Sequence, residues 1–138
     1  MNLEENSIII ENFEPKTQQA FFFDTYAFYE IIKENVNYTN YLDSIIITTK
    51  LNLFELYHKF LKLGNEDLAN ISFEEYYKFT LDFGEEVIKE AAKLKMLLSR
   101  RDVSMTDCIG YCLAKQLGIK FLTGDDAFEH LENVEFVR

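Results

Sequence analysis

A run of three phenylalanines, Phe21–Phe23, constrains the fold of this 138-residue chain more than any other stretch. Three consecutive aromatic side chains are typical of a short buried strand. The run ends at Asp24-Thr25, and apolar residues then recur at helical spacing as far as Ile32. Asp24 is therefore expected at the point where a buried strand passes into a helix. In open α/β sheets, ligand sites lie in the crevice beyond the carboxyl ends of the strands.

Further strands and helices are predicted to alternate along the chain. The helical patterns cover 51–63, a segment opened by the capping-box spacing of Ser72-Phe73-Glu74-Glu75, 85–98, the stretch before Gly118, and 127–131. Besides Phe21–Phe23, the predicted strands are 45–48, a weak one at 79–83, 119–122 and 134–137. Such alternation predicts an α/β fold with a mostly parallel sheet covered on both faces.

Residues 1–19 are predicted to be an extension, and residues 20–138 a single domain. Within the extension, Ser7–Ile10 has the composition of a short edge strand, which the chain's only proline, Pro15, prevents from continuing. Nothing in the sequence resembles a signal peptide or a membrane span, so a cytoplasmic location is expected.

Charge and cysteine content narrow the function classes. The 24 acidic and 14 basic residues give a net charge of -10, which argues against a broad groove for nucleic acid. A small acidic site whose bound cations contact a phosphate is compatible with that charge. Cys108 and Cys112 have no second cysteine pair or nearby histidine to complete a zinc site, and we interpret them as buried thiols. His58 and His130 are interpreted as structural or surface residues.

Three carboxylates are expected to meet at one edge of the sheet. Asp24 and Asp125 each follow a predicted strand within a few residues, and the carboxyl ends of parallel strands share one edge. Asp107 lies near the start of the helix before the second of these strands, and that helix end faces the same edge. Each of the three also has a simpler interpretation as a helix cap or turn residue.

Clustered carboxylates repel one another, by roughly 3 kcal/mol per ionised pair at about 5 Å and an effective dielectric constant near 20. A shared proton or a bound cation relieves this repulsion. Oxygen ligands without cysteine or histidine suit Mg²⁺ or Mn²⁺, which keep several waters and bind substrate phosphates. The chemistry favoured by such a site is metal-assisted hydrolysis of a phosphodiester. For Glu55, the local sequence favours a different role, an (i, i+4) pair with Lys59 on a solvated helix face.

Four acidic motifs in this order resemble the PIN domain family, in particular its small VapC-type toxins. The resemblance extends from about residue 21 to residue 136. The motifs are Phe23-Asp24-Thr25, Asn52-Leu53-Phe54-Glu55-Leu56, Ser104-Met105-Thr106-Asp107, and Phe121-Leu122-Thr123-Gly124-Asp125 followed by Phe128.

The resemblance implies an α/β/α sandwich and a metal-dependent endoribonuclease that acts on single-stranded RNA. It assigns Mg²⁺ or Mn²⁺ to Asp24, Asp107 and Asp125, and makes Glu55 the fourth acid of the site, against its local interpretation. Thr123 and Ser104 would orient the carboxylates, and Asp126 is an optional fifth acid. The resemblance also implies a homodimer and an antitoxin partner whose segment lies over the acidic groove.

One position departs from the family pattern, which often has Asn or Ser two residues after the first aspartate, where this chain has Tyr26. Contacts with RNA are expected from the metal ions, the 99–102 loop with Arg100 and Arg101, and Lys59 or Lys62. The alternatives are a PIN-domain RNA-processing factor and an RNA-binding module with little activity. A haloacid-dehalogenase-like phosphatase is a third alternative, but it needs an aspartate where Tyr26 stands.

Overall fold

A computed structural model describes residues 18–138. Its centre is a four-stranded sheet in which all strand pairs are parallel, in the order β2-β1-β3-β4. The strands are β1 (Ala20–Phe23), β2 (Ile45–Ile47), β3 (Lys120–Thr123) and β4 (Val134–Phe136). Because β1 and β3 are neighbours at the centre, their carboxyl ends lie side by side.

Five α-helices cover the sheet. They are α1 (Thr25–Ile32), α2 (Lys50–Lys62), α3 (Glu66–Tyr76), α4 (Glu85–Leu97) and α5 (Met105–Leu117). Short 3₁₀ turns occur at Thr39–Asp43, Tyr77–Phe79 and Asp126–Phe128.

The three phenylalanines of β1 explain why the sheet is covered on both faces. Successive side chains of a strand point to opposite faces. Phe21 and Phe23 accordingly pack in the core beneath α1, α2 and α3, whereas Phe22 packs on the other face with α4, α5 and Phe121. Fully burying one such side chain stabilises the fold by roughly 1.5–3 kcal/mol. The predicted three-layer α/β/α sandwich is confirmed.

The prediction that Ser72 opens a helix is wrong. Gly64 adopts a left-handed conformation just after α2, and Asn65 at once caps the next helix by accepting a hydrogen bond from the Leu68 amide at 3.0 Å. Ser72 lies inside α3, where its hydroxyl donates to the Leu68 carbonyl at 2.7 Å. A serine in a helix interior commonly bonds back to the carbonyl four residues earlier, so its capping-box spacing was misleading here.

Two other predicted elements also differ from the structure. The predicted strand at 79–83 is a single parallel bridge between Thr48 and Thr80, because the chain leaves a 3₁₀ turn immediately before it. The predicted helix at 127–131 is the short 3₁₀ turn Asp126–Phe128.

The predicted strand Ser7–Ile10 and most of the 1–19 extension lie outside the described residues. Within residues 18–138, no helix is long and apolar enough to cross a membrane.

Gly110 is predicted to be required for the packing of α5 against β1. A Cβ atom at Gly110 would lie 2.6 Å from Cε1 and 2.9 Å from Cζ of the buried Phe22 ring. Alanine normally stabilises a helix interior relative to glycine by roughly 0.5–1 kcal/mol. We expect Gly110→Ala instead to lower the free energy of unfolding by about 1–3 kcal/mol, measured by urea denaturation, because the core is overpacked.

The matched control for Gly110→Ala is the double variant with Phe22→Leu, which shortens the side chain that the new methyl group meets. The double variant should be more stable than the sum of the two single effects predicts. Additive effects, or stabilisation by Gly110→Ala alone, would contradict the close approach.

Candidate functional site

Asp24 lies at the carboxyl end of β1, and its side chain is 2% exposed. Both carboxylate oxygens are held: Oδ1 accepts from the backbone N–H of Thr25 at 2.8 Å, and Oδ2 accepts from the Thr123 hydroxyl at 2.8 Å. The first bond caps α1. The second comes from the end of the neighbouring strand β3. Asp24 is thus a buried acid whose orientation is fixed by two elements.

Asp125 is tied to Asp24 through the same threonine. The Thr123 hydroxyl that donates to Asp24 also accepts from the backbone N–H of Asp125 at 3.1 Å. Asp125 Oδ1 in turn accepts from the backbone N–H of Ala127 at 3.0 Å and caps the 3₁₀ turn that follows. A single side chain at the end of β3 therefore sets the positions of two carboxylates.

Asp107 enters the same region from the first turn of α5. It forms a capping box with Ser104: the Ser104 hydroxyl accepts from the Asp107 backbone N–H at 3.1 Å, and Asp107 Oδ2 accepts from the Ser104 backbone N–H at 2.9 Å. The capping box fixes the side-chain rotamer of Asp107. Its other oxygen, Oδ1, is left for the cleft.

Glu55 does not form the predicted surface pair with Lys59. Its Oε1 accepts from the Thr25 hydroxyl at 2.8 Å, and that hydroxyl also accepts from the amide of the buried Asn52 at 3.1 Å. Asn52 is held in turn by Thr49, the N-cap of α2, whose hydroxyl donates to Asn52 Oδ1 at 2.7 Å. This chain of hydrogen bonds turns Glu55 towards the residue that follows Asp24.

The carboxylates line an open cleft of about 350 Å³. The C-terminal Arg138 reaches over the cleft and pairs with the exposed Asp126. The preceding residue is anchored by the Tyr38 hydroxyl, which donates to the Val137 carbonyl. The residues that line the cleft are Asp24, Thr25, Tyr26, Lys59, Asp107, Gly124, Asp125, Asp126 and Arg138.

Close packing at Gly124 explains part of the cleft's shape. A Cβ atom there would lie 2.6 Å from Cζ of the Tyr26 ring and would also collide with the Val137 carbonyl oxygen. Tyr26, the residue at which the sequence departs from the family pattern, thus packs against the turn between Thr123 and Asp125. Glycine is required here by the close approach of the ring and the backbone.

The acids raise one another's affinity for protons. Burial raises the pKa of Asp24 well above its ordinary value of 3.8, and the charges of Asp107 and Glu55 raise it further against the hydrogen bonds from Thr123 and Thr25. The pKa of Asp107 is raised by burial and by Asp125. The pKa of Glu55 is raised by burial and by Asp107. The site therefore stores unfavourable negative charge, which a proton or a cation would relieve.

The donors of this site suit a divalent ion in their chemistry. They are carboxylate oxygens, without cysteine or histidine in the cleft lining, which is the donor type that Mg²⁺ and Mn²⁺ prefer. Among residues 18–138, no group of three or more Asp, Glu, His or Cys side chains is already placed so that it could hold a metal ion. Binding an ion would therefore require these carboxylates to move from the positions described above.

Local sequence patterns did not identify three functional neighbours of the acids. Thr25 and Asn52 join Glu55 to the site, and their signal was present only in the motifs that carry the family resemblance. The sequence around Arg138 did not predict its position in the cleft. Arg138 pairs with Asp126 because the chain passes through β4, which pairs with β3, and this pairing is not visible in the local sequence. Ser104 and Thr123, in contrast, lie against the acids that they were expected to orient.

We predict that the metal-free protein loses stability as the pH rises. An acid with a raised pKa binds its proton more tightly in the folded chain than in the unfolded chain, so the folded state holds more protons between the two pKa values. Stability is thus highest near or below the ordinary pKa of 3.8 and falls as the pH rises through the raised pKa of Asp24. Asp24→Asn should flatten this fall. The fall in stability and its flattening in Asp24→Asn are measured as urea unfolding midpoints in chelator, at about five pH values between about 4 and 8.

The control for the pH experiment is Asp102→Asn, which removes an exposed carboxylate from the 99–102 loop. Because general repulsion in a chain of net charge -10 also destabilises the fold at high pH, only the difference between the variants is diagnostic. Equal pH dependence in the parent and in Asp24→Asn would contradict the raised pKa of the buried Asp24.

Comparisons with known proteins agree with this geometry. The PIN domain family model matches residues 21–134, which include all four acids. No curated protein sequence matches the chain at a significant level.

Three solved structures are similar to the chain over most of its length. A toxin-antitoxin complex from Klebsiella pneumoniae is similar over 83% of this chain and 94% of that chain, with 13% identity and a TM-score of 0.64. VapBC2 from Rickettsia felis, bound to a DNA fragment from its promoter, is similar over 86% and 98%, with 16% identity and a TM-score of 0.66. PAE2754 from Pyrobaculum aerophilum is similar over 88% and 92%, with 13% identity and a TM-score of 0.64. The match of the family model over most of the chain confirms the resemblance: the chain belongs to the PIN domain family.

Proposed function

We propose that this protein is a Mg²⁺- or Mn²⁺-dependent endoribonuclease that hydrolyses single-stranded RNA and is the toxin of a toxin-antitoxin pair. Members of its family are generally nucleases. The observation that supports the proposal most strongly is the convergence of Asp24, Asp107 and Asp125 from three separate parts of the chain on one cleft. Glu55 is held beside them by its hydrogen bond with Thr25, and its charge raises the pKa of Asp24.

Asp24, Asp107 and Asp125 are the residues that we assign to the metal. When bound, a divalent ion supplies activation of water and stabilisation of negative charge on the phosphate. The protein supplies orientation: Thr123 fixes Asp24 and the start of the Asp125 turn, and Ser104 fixes Asp107. Removing a hydrogen bond that orients a metal ligand typically lowers metal affinity or activity by about 10- to 100-fold.

Glu55 is assigned a role in proton transfer. Its Oε1 accepts a hydrogen bond from the Thr25 hydroxyl, and the hydroxyls of Ser104 and Thr106 also act on its carboxylate by hydrogen bonding. Burial raises its pKa, and a carboxylate whose pKa moves towards the working pH is a better general base. Asn52 holds Thr25, and through it Glu55, in place.

An antitoxin is the proposed protein partner. Toxin-antitoxin complexes are among the similar structures, and the cleft of this chain offers several carboxylates to a cationic side chain. Arg138, which pairs with Asp126 at the rim, shows how a guanidinium can be accommodated there. The predicted homodimer stays a prediction of the family resemblance.

Cleavage of an end-labelled single-stranded RNA and of the corresponding DNA tests the proposed activity. We expect RNA cleavage in Mn²⁺ or Mg²⁺, none in chelator, and a loss of at least about 10- to 100-fold in rate in Asp107→Asn, because this variant removes a charged ligand from the cleft. Asp67→Asn, which replaces an exposed carboxylate in the first turn of α3, is the matched control and should cleave like the parent.

Cleavage in the presence of chelator, or equal rates in the parent and Asp107→Asn, would contradict the assigned site. A parent protein that binds RNA without cleaving it would favour the RNA-binding module over the nuclease.

A further inference from the structure

Helix α2 carries the opposite charge balance to the rest of the molecule. It contains Lys50, Lys59 and Lys62 and only one acid, Glu55, in a chain whose net charge is -10. Glu55 faces the Asp24 region, and Lys59, one helical turn further, lines the acidic cleft. A basic surface therefore begins where the cleft ends.

Three lysines are brought together at this edge of the cleft. The Lys59 ammonium lies 3.6 Å and the Lys33 ammonium 4.9 Å from the centroid of the same Tyr29 ring. Burial lowers the pKa of Lys59, and the positive charges of Lys33 and Lys62 lower it further. The carboxylate of Glu30, whose Oε1 lies 3.7 Å from Lys33 Nζ, balances the positive charge of Lys33. A phosphate placed here would relieve the repulsion that remains.

Two exposed rings lie on the same helix as Lys59 and Lys62. Phe54 is 69% exposed although it is among the most apolar residues, and its ring stacks on that of His58 with a centroid distance of 6.1 Å and an interplanar angle of 18°. Phe54 and His58 are four residues apart on α2, so their side chains lie on the same face of the helix. Along that face the order is Lys50, Phe54, His58, Lys62, at steps of four residues.

We propose that single-stranded nucleic acid leaves the acidic cleft over this face of α2, with a backbone phosphate at Lys33, Lys59 and Lys62 and a neighbouring base stacked on Phe54 and His58. The inference rests on the proposed nuclease function and names the surface that holds the substrate beside the reacting phosphate. Cations that follow the backbone together with flat rings that stack on bases are the usual features of single-strand binding.

The charges on this face of α2 favour single-stranded nucleic acid as the molecule that binds there. Lys62 at one end of the ring pair attracts a phosphodiester chain, and Lys50 at the other end pairs with the exposed Asp82 at 3.5 Å. The groove of an apolar helix-binding site, in contrast, would be lined mainly by aliphatic side chains. The other basic segment is less available, because the Arg101 guanidinium donates to the Ala127 carbonyl at 2.7 Å. The proposed face is thus the better-suited basic surface near the cleft.

The test measures binding of a mixed-sequence, fluorescein-labelled single-stranded RNA in Mn²⁺, with Asp107→Asn as the parent so that the probe is not cut. Replacing Phe54 by leucine keeps an apolar side chain and removes the ring. We expect Phe54→Leu to weaken binding by about 5- to 150-fold, which corresponds to the roughly 1–3 kcal/mol of one base–aromatic stack. Leu97→Ala, which truncates an exposed apolar residue of α4, should leave the affinity unchanged.

The lysines are tested separately through the salt dependence of the same binding. Each phosphate contact with a single strand contributes a slope of about -0.7 to a plot of log affinity against log salt. Lys62→Gln should make the slope shallower by about that amount. Lys93→Gln, an exposed lysine of α4, should not change it.

Failure of this inference can be distinguished from failure of the proposed function. Unchanged RNA affinity in Phe54→Leu and an unchanged salt slope in Lys62→Gln, in a protein whose RNA cleavage requires Asp107, would overturn the inference alone and leave the face to a protein partner. A protein that neither cleaves nor binds RNA would overturn both. Because Phe54 is exposed, its replacement should leave the thermal unfolding midpoint unchanged, which confirms that any loss of binding is local.

Discussion

The hydrogen bond from the Thr123 hydroxyl to Asp24 is the interaction on which the site depends. It joins two residues 99 positions apart at the adjacent ends of β1 and β3, and it satisfies a carboxylate oxygen that is shielded from water. A buried carboxylate without such a partner would cost several kcal/mol. The parallel pairing of β1 with β3 makes the bond geometrically available, and the buried phenylalanines of β1 hold that pairing in place.

Helix capping and assembly of the site are two results of the same hydrogen bonds. Asp24 and Asp125 each cap the element that follows, and Asp107 completes the capping box of the helix in which it lies, which is the simpler interpretation that their sequence contexts offered. The topology of the sheet brings these caps together, so that satisfied helix starts also present carboxylates to one cleft. Because these capped carboxylates are not already placed to hold an ion, part of this arrangement would have to change when one binds.

The sequence predicted the sheet well, because its signals are local. The buried run Phe21–Phe23 and the β-branched run 45–48 are short, apolar and flanked by polar residues, and both form strands close to the predicted bounds. The start of α3 was missed because Ser72 has a capping-box spacing, while the true cap, Asn65, follows directly after the end of α2. The segment 79–83 has strand-like composition but makes only one bridge, between Thr48 and Thr80, because its first residue still belongs to the 3₁₀ turn Tyr77–Phe79.

The site itself was less accessible to local reasoning. The convergence of Asp24, Asp107 and Asp125 could be inferred from topology, but Glu55 could not, because its partner Thr25 lies 30 residues away and Lys59 offers an ordinary helical ion pair. Only the order of motifs shared with the family pointed to Glu55. The ring pair of Phe54 and His58 was likewise hidden: a phenylalanine in a helix is usually buried, and its exposure becomes visible only when α2 packs with its Leu53 and Leu56 face inwards.

The central claim is that the carboxylates around Asp24 bind a divalent ion. Anomalous scattering from crystals grown with Mn²⁺ would test it most directly, because this measurement locates the ion without reference to activity. We expect a strong anomalous peak in the cleft, within coordination distance of Asp24, Asp107 or Asp125. A peak only at exposed carboxylates outside the cleft lining, such as Asp67 and Glu74, or no peak at a Mn²⁺ concentration that supports RNA cleavage, would contradict the claim.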